Sequence, residues 1–180
     1  MPRPITLLVE GESDRAAHVT LAPRLGVDLV ADEITVTVIG GAGNFGGAIA
    51  DAAAQGHRVG GLYDEAEERF VAGALNRQEG EDLTRQGFFA CRPDLELELV
   101  RALGVVEVTA LLEAHGDLKT FRNFQDQPKY RDAEVLEQMR RFIGANGARK
   151  AKYAAVMAEA VPFEAAPEPL EGIVHWIWGA

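Results

Sequence analysis

Carboxylates crowd three short stretches of this chain. They read Val9-Glu10-Gly11-Glu12-Ser13-Asp14, Leu62-Tyr63-Asp64-Glu65-Ala66-Glu67-Glu68 and Arg92-Pro93-Asp94-Leu95-Glu96-Leu97-Glu98. Each begins where a short apolar run of strand character stops. If those runs are parallel strands of one sheet, their C-terminal ends share an edge, which is where open α/β sheets place ligands. Carboxylates converging there repel one another and take up protons unless a cation sits among them. Oxygen donors of this kind suit Mg²⁺ or Mn²⁺ rather than zinc. Helix N-termini also attract acids through the dipole, and that accounts for Glu12, Glu65 and Glu68. Glu10 and Asp64 are different, because each directly ends an apolar strand, ahead of the place a cap would take.

The elements that must position these groups are legible in the periodicity. Ile5 to Val9, Ile34 to Ile39, Arg58 to Tyr63 and Gly87 to Cys91 have the length and β-branched or aromatic content of strands. Helical patterns lie between them: one capped by Ser13, one over about 45–55, one over about 65–77, and one with Pro93 in its first turn. Strands separated by single helices predict right-handed βαβ units and a small, mainly parallel Rossmann-like α/β sheet flanked by helices. From Val105 onward helical periodicity takes over, with segments predicted at 106–114, 132–143, 150–161 and 173–178. The expected organisation is an α/β core over 1–104 and a helical C-terminal part over 105–180 packed on it.

The charge is divided unevenly between these parts. The 180 residues carry a net −10. Residues 1–104 hold nine Arg and no Lys against seventeen acids, whereas 117–152 hold nine basic residues against five acids. That segment includes Lys119, Arg122, Lys129, Arg131, Arg140, Arg141, Arg149 and Lys152, interleaved with Phe121, Phe124, Tyr130 and Tyr153. An acidic half joined to a locally basic one suits a metal site beside a phosphate-binding surface, and equally suits solvated helix faces. Cys91 is the only cysteine, so no internal disulfide forms and a cytoplasmic location is expected. The N-terminal apolar run ends at Glu10, too short for a signal-peptide core or a membrane span.

Taken in order, Leu8-Val9-Glu10-Gly11-Glu12-Ser13-Asp14, Ile39-Gly40-Gly41 and Leu62-Tyr63-Asp64 resemble the Toprim (topoisomerase–primase) domain. With Gly87-Phe88-Phe89, Asp94-Leu95-Glu96 and Arg149-Lys150-Ala151-Lys152 added, the chain is most similar to the Toprim part of the overcoming-lysogenization-defect (OLD) nucleases. The resemblance implies divalent-metal-dependent phosphodiester hydrolysis of DNA or RNA, with Mg²⁺ or Mn²⁺ and two ions. It implies Glu10 as ligand or general acid/base, Asp14 and Asp64 as ligands, Asp94 and Glu96 completing a second metal position, and Lys150 offsetting charge on the phosphate. Glu67 and Glu98 are further candidates, Gly40 and Gly41 a phosphate-binding loop, and Arg149 and Lys152 nucleic-acid contacts.

The chain departs from the family in two ways. Ala66 stands where the family's Asp-x-Asp pair has its second aspartate, with Glu67 the nearby substitute. OLD proteins also carry an ATPase domain, but no glycine here is followed by lysine, so there is no Walker A and any ATPase is expected to be a separate partner. A homodimer is a further expectation. The rival reading is a non-catalytic Toprim-like binding or regulatory module. A third comes from Gly41-Ala42-Gly43-Asn44-Phe45-Gly46, which spells the dinucleotide fingerprint of an oxidoreductase, though after the second strand rather than the first. Ser13 reads as a cap, the four histidines lack ligand spacing, and Trp176 and Trp178 read as C-terminal anchors.

Overall fold

The computed structural model describes residues 3–179, so Met1, Pro2 and Ala180 at the outer ends of the two expected regions lie outside it. All five residues of β1 (Ile5–Val9) are buried. An uncharged run of this kind is stable only with both faces of its sheet covered. β2 (Ile34–Val38) and β3 (Arg58–Asp64) flank β1, and β4 (Phe88–Cys91) lies beyond β3, giving the parallel order β2-β1-β3-β4. Val9 pairs with Val38, and Asp64 with Cys91, so the strands end nearly level. The chain winds outward from β1 to β2 and then back across to β3, so its direction reverses between β1 and β3.

The helices are α1 (Glu12–Arg24), α2 (Phe45–Ala54), α3 (Glu68–Ala74), α4 (Leu95–Ala114), α5 (Leu118–Gln125), α6 (Val135–Gly144), α7 (Gly147–Ala160) and α8 (Glu168–Trp178). Alternation along the strands sends Leu7, Val9, Leu62 and Cys91 into the larger core with α1, α4, α6, α7 and α8. Leu8, Tyr63 and Phe88 enter a smaller core on the other face, with residues of α2 and α3. This is the small parallel α/β sheet with a helical C-terminal extension that the periodicity predicts. α7 lies along α1 and also meets α4 and α6. Among the described residues no helix is long and apolar enough to cross a membrane.

Several local expectations change. Ser13 does not cap α1: Gly11 holds the cap position, its N–H donating to Asp14 Oδ2 at 2.9 Å, and Ser13 is buried in the first turn. Pro93 is not in a helix either, because Asp94 is the cap of α4 and accepts from the Leu97 N–H at 3.0 Å. The stretch after β3 is a 3₁₀ turn, Glu65–Glu67, before the short α3. α4 begins well before residue 106 and breaks at Gly104, where φ is 77°. α5 is missing from the expected elements because it is only eight residues long, and its apolar positions Leu118, Phe121 and Phe124 sit among polar residues as a short, isolated stripe.

α8 is latched to the sheet through Trp176. A Cβ on Gly60 would come within 2.9 Å of that ring and one on Gly87 within 2.5 Å, so both positions admit only glycine while the helix is seated. The Arg58 guanidinium stacks 4.2 Å from the ring centroid and donates to the Trp176 carbonyl at 2.9 Å.

Candidate functional site

The reversal of winding between β1 and β3 opens a crevice at the C-terminal ends of those strands, and the carboxylates that close them, Glu10 and Asp64, line it together. A cavity of about 510 Å³ there is also walled by Asp14 from the first turn of α1, Glu67 from the 3₁₀ turn and Lys150 from the first turn of α7. The packing of α7 along α1 is what carries Lys150 to the acidic edge. Gly40 and Gly41 form another wall, with φ of 72° and 128°. No atom lies within 4 Å of a Cβ built on either, so the backbone turn rather than space calls for glycine. The Gly40 N–H donates to the Glu10 carbonyl at 3.0 Å, tying this turn to the end of β1.

The electrostatics of the crevice follow from too many acids and one cation. Burial, and then the charge of Asp14, push Asp64 up to about 7 against the opposing pull of Lys150. Burial and the adjoining Glu10 carboxylate push Glu67 up to about 8, and its Oε2 is buried with no hydrogen-bond partner. Asp14 is raised by burial, although the Gly11 N–H and Lys150 oppose this. Glu96, from the first turn of α4, is 3% exposed. Its Oε2 lies 3.3 Å from Lys150 Nζ, while its Oε1 is buried without a partner. Burial raises Glu96 to about 7 even with that lysine beside it. Burial lowers the Lys150 ammonium, but Glu96, Asp14 and Asp64 outweigh it and leave the net shift upward, so the lysine stays charged.

Asp94 stands in different company. Its Oδ1 accepts the Leu97 N–H and its Oδ2 the Arg140 Nε–H at 2.5 Å. Arg140 donates Nη1 to both oxygens of Glu137, which also accepts from Arg141 Nε at 2.6 Å. Asp94 and Glu96 line a second cavity of about 530 Å³ with Lys129, Arg140, Arg141 and Lys150. Lys150 is common to both cavities.

The structure brings together Glu10, Asp14, Asp64, Glu67, Gly40, Gly41 and Lys150, with Glu96 joined to them through the lysine. It sends the others elsewhere. Glu98 accepts from the Arg92 N–H at 2.9 Å and lines a separate cavity. Arg149 donates to the Phe142 carbonyl at 3.0 Å and stacks on that ring, and Lys152 pairs with Asp117 at 2.9 Å. The glycine fingerprint follows the edge strand β2, and its first glycine adjoins Glu10 and Asp14, so an unaccompanied pyrophosphate there would meet carboxylates. Arg140 is legible in the sequence only as one basic residue of the 117–152 segment, not as the partner of Asp94. Glu137 is legible as its i,i+3 partner and as the i,i+4 partner of Arg141, but nothing in the spacing links Arg140 to Asp94, 46 positions earlier.

Orphaned buried carboxylate oxygens on Glu67 and Glu96, and acids held protonated near neutral pH, are what a crevice built around a cation presents. Glu10, Asp14, Asp64 and Glu67 therefore fit a hard divalent ion. Among the described residues, no three His, Cys, Asp or Glu side chains are drawn close enough to form a metal-holding group. Asp94 fits less well, since both of its oxygens have protein partners.

Fold and site together define a parallel α/β protein with an acidic crevice at the reversal of strand order. No protein-family model matches the chain, and no curated protein matches it. Among solved structures it is similar to the C-terminal region of the OLD protein of Burkholderia pseudomallei, with a TM-score of 0.68 and 18% identity over 97% of each chain. The C-terminal region of the Xanthomonas campestris pv. campestris OLD protein gives a TM-score of 0.66 and 21% identity, over 98% of this chain and 94% of that one. At these identities the likeness shows a shared fold, the one the ordered motifs resemble.

Proposed function

We propose that the chain is a divalent-metal-dependent phosphodiesterase acting on DNA or RNA, an OLD-like Toprim nuclease. The observation that carries this reading is the convergence of Glu10, Asp14, Asp64 and Glu67 with Lys150 in one cavity at the β1–β3 crevice. Glu10, Asp14 and Asp64 would hold Mg²⁺ or Mn²⁺, and Glu96 would serve a second ion once Lys150 releases it. An ion bound there makes water a better nucleophile and offsets charge on the phosphoryl oxygens. With no ion bound, burial and the Glu10 carboxylate raise Glu67 to about 8, and a divalent ion among these acids would lower it and free Glu67 to join Glu10 as a ligand or as a base near the phosphate. Lys150 sets a positive charge at the same place, and the N-terminus of α7 adds its dipole.

The test is incubation of the pure protein with supercoiled plasmid and with labelled DNA and RNA, in Mg²⁺, Mn²⁺ or EDTA, beside Glu10→Gln and Lys150→Ala. Metal-dependent cleavage lost in both variants is the expected result. Cleavage surviving in both would overturn the site.

A second reading, a non-catalytic nucleic-acid-binding or regulatory module, is favoured by Ala66 and by the hold of Arg140 on Asp94. A folded protein that binds Mn²⁺ and nucleic acid but cuts neither DNA nor RNA with any metal would establish it.

A further inference from the structure

We infer that the cavity between α6 and the start of α4 seats a backbone phosphate of the nucleic-acid strand, next to the phosphate held at the carboxylate crevice. The inference rests on the reading of nucleic acid as substrate and specifies where the strand lies. Four cations, Lys129, Arg140, Arg141 and Lys150, line this cavity against two carboxylates, in a chain whose net charge is −10. Both carboxylates face a cation already, Asp94 through Arg140 and the Leu97 N–H, and Glu96 through its Oε2 to Lys150.

The cations are not used up. Arg140 commits Nε and Nη1 to Asp94 and Glu137, and Arg141 commits Nε to Glu137. Among the described hydrogen bonds, Arg140 Nη2 and both terminal nitrogens of Arg141 have no acceptor. Lys129 makes no ion pair among the described residues, and its ammonium stands only over the Tyr130 ring, at 5.2 Å. The helix dipole accounts for Arg141 in the last turn of α6, and the Asp94 and Glu137 carboxylates account for Arg140. Neither accounts for Lys129, which comes from the connection between α5 and α6. Spare guanidinium forks and a free ammonium converging on one cavity are the donors a phosphodiester takes.

Lys150 lines this cavity and the carboxylate crevice alike, so a strand with one phosphate at the crevice passes the lysine and reaches the second cavity. The grip is on the backbone and reads no sequence. Arg149 and Lys152, bound to Phe142 and Asp117, take no part in it.

The experiment is fluorescence anisotropy of a labelled 12-nucleotide single strand with the full chain in EDTA, across a series of NaCl concentrations. Lys129→Gln, Arg141→Gln and the double variant are compared with wild type and with Lys119→Gln, an exposed lysine outside the cavity. Each cavity variant is expected to weaken binding about three- to tenfold and to lower the salt slope by about 0.7, with Lys119→Gln staying near wild type. Wild type that does not bind, or cavity variants that bind no worse than Lys119→Gln, would overturn the inference. Displacement of the strand by micromolar 5′-adenylate or inorganic phosphate would also overturn it, in favour of a small phosphate ligand. No metal is present, so a failure of the cleavage reading shows only in the plasmid assay and is distinguished from failure here.

Discussion

Two groups of acids stand side by side at the C-terminal edge of the sheet, and they are solved differently. At the β1–β3 crevice Glu10, Asp14, Asp64 and Glu67 share one lysine, and the cost appears as protons held near neutral pH and an orphaned oxygen. At the start of α4, Asp94 has one partner for each oxygen, from the backbone of its own helix and from Arg140. Composition does not separate these groups, since both are carboxylates just after parallel strands. What separates them is whether a basic side chain from the C-terminal helices arrives in sufficient number. The chain has compensated Asp94 itself and left the crevice, with Glu96 beside its one lysine, short of positive charge.

The largest effect that could break this contrast is on cleavage. Glu10→Gln or Lys150→Ala is expected to lower metal-dependent cleavage by about 10²–10³-fold, whereas Glu98→Gln, outside the crevice, is expected to leave it within about threefold. Steady-state rates on a labelled substrate check this.

The next effect is on stability. Arg140→Met leaves Asp94 and Glu137 without their shared cation and is expected to destabilise the fold by about 2 kcal/mol in urea titrations. If the midpoint does not move, Asp94 is not compensated as described.

Asp64→Asn should do the opposite in chelator. A carboxyl raised to about 7 from an ordinary 3.8 binds its proton more tightly in the folded state, so its contribution to stability is present below pH 3.8 and lost as pH rises through 7. Replacing it with a neutral amide should therefore stabilise the protein by about 2 kcal/mol at pH 8, with the gain fading toward pH 4. Urea titrations at both pH values test the sign.

The smallest effect is that of the ion itself. At saturation Mn²⁺ should raise the Tm by about 5 °C at pH 8 in wild type. The rise should be smaller at pH 5.5, where protons compete for Asp64 and Glu96, and it should be lost in Asp64→Asn. Differential scanning calorimetry with EDTA controls reads it. An equal shift at both pH values would mean that the ion binds elsewhere.

Most of the crevice was legible before any coordinates, because it is built from strand ends. Glu10 and Asp64 each terminate an apolar run, and parallel topology alone brings such positions to one edge. Lys150 was placed only through the family resemblance, since no local pattern says that α7 will lie along α1. The compensation of Asp94 was illegible for the same reason: Arg140 lies on a helix whose orientation depends on packing of Met139, Phe142 and Ile143 into the larger core. Arg149 and Lys152 stand beside the candidate lysine in sequence, and only tertiary structure shows that the Phe142 carbonyl and Asp117 engage them. Ser13 misled through its good capping chemistry, which the Asp14 carboxylate and Gly11 N–H displaced by one turn geometry.

The packing of α7 on α1 also sets a schedule. Glu10 and Lys150 are separated by about 140 residues of chain, so closing the crevice requires one of the longest loops this polypeptide can close, and long-range closure comes late. During synthesis the acidic strand ends emerge first and wait, without their lysine, until α7 has followed them out. A chain cut before residue 150 would carry the crowded acids without the one cation that faces them.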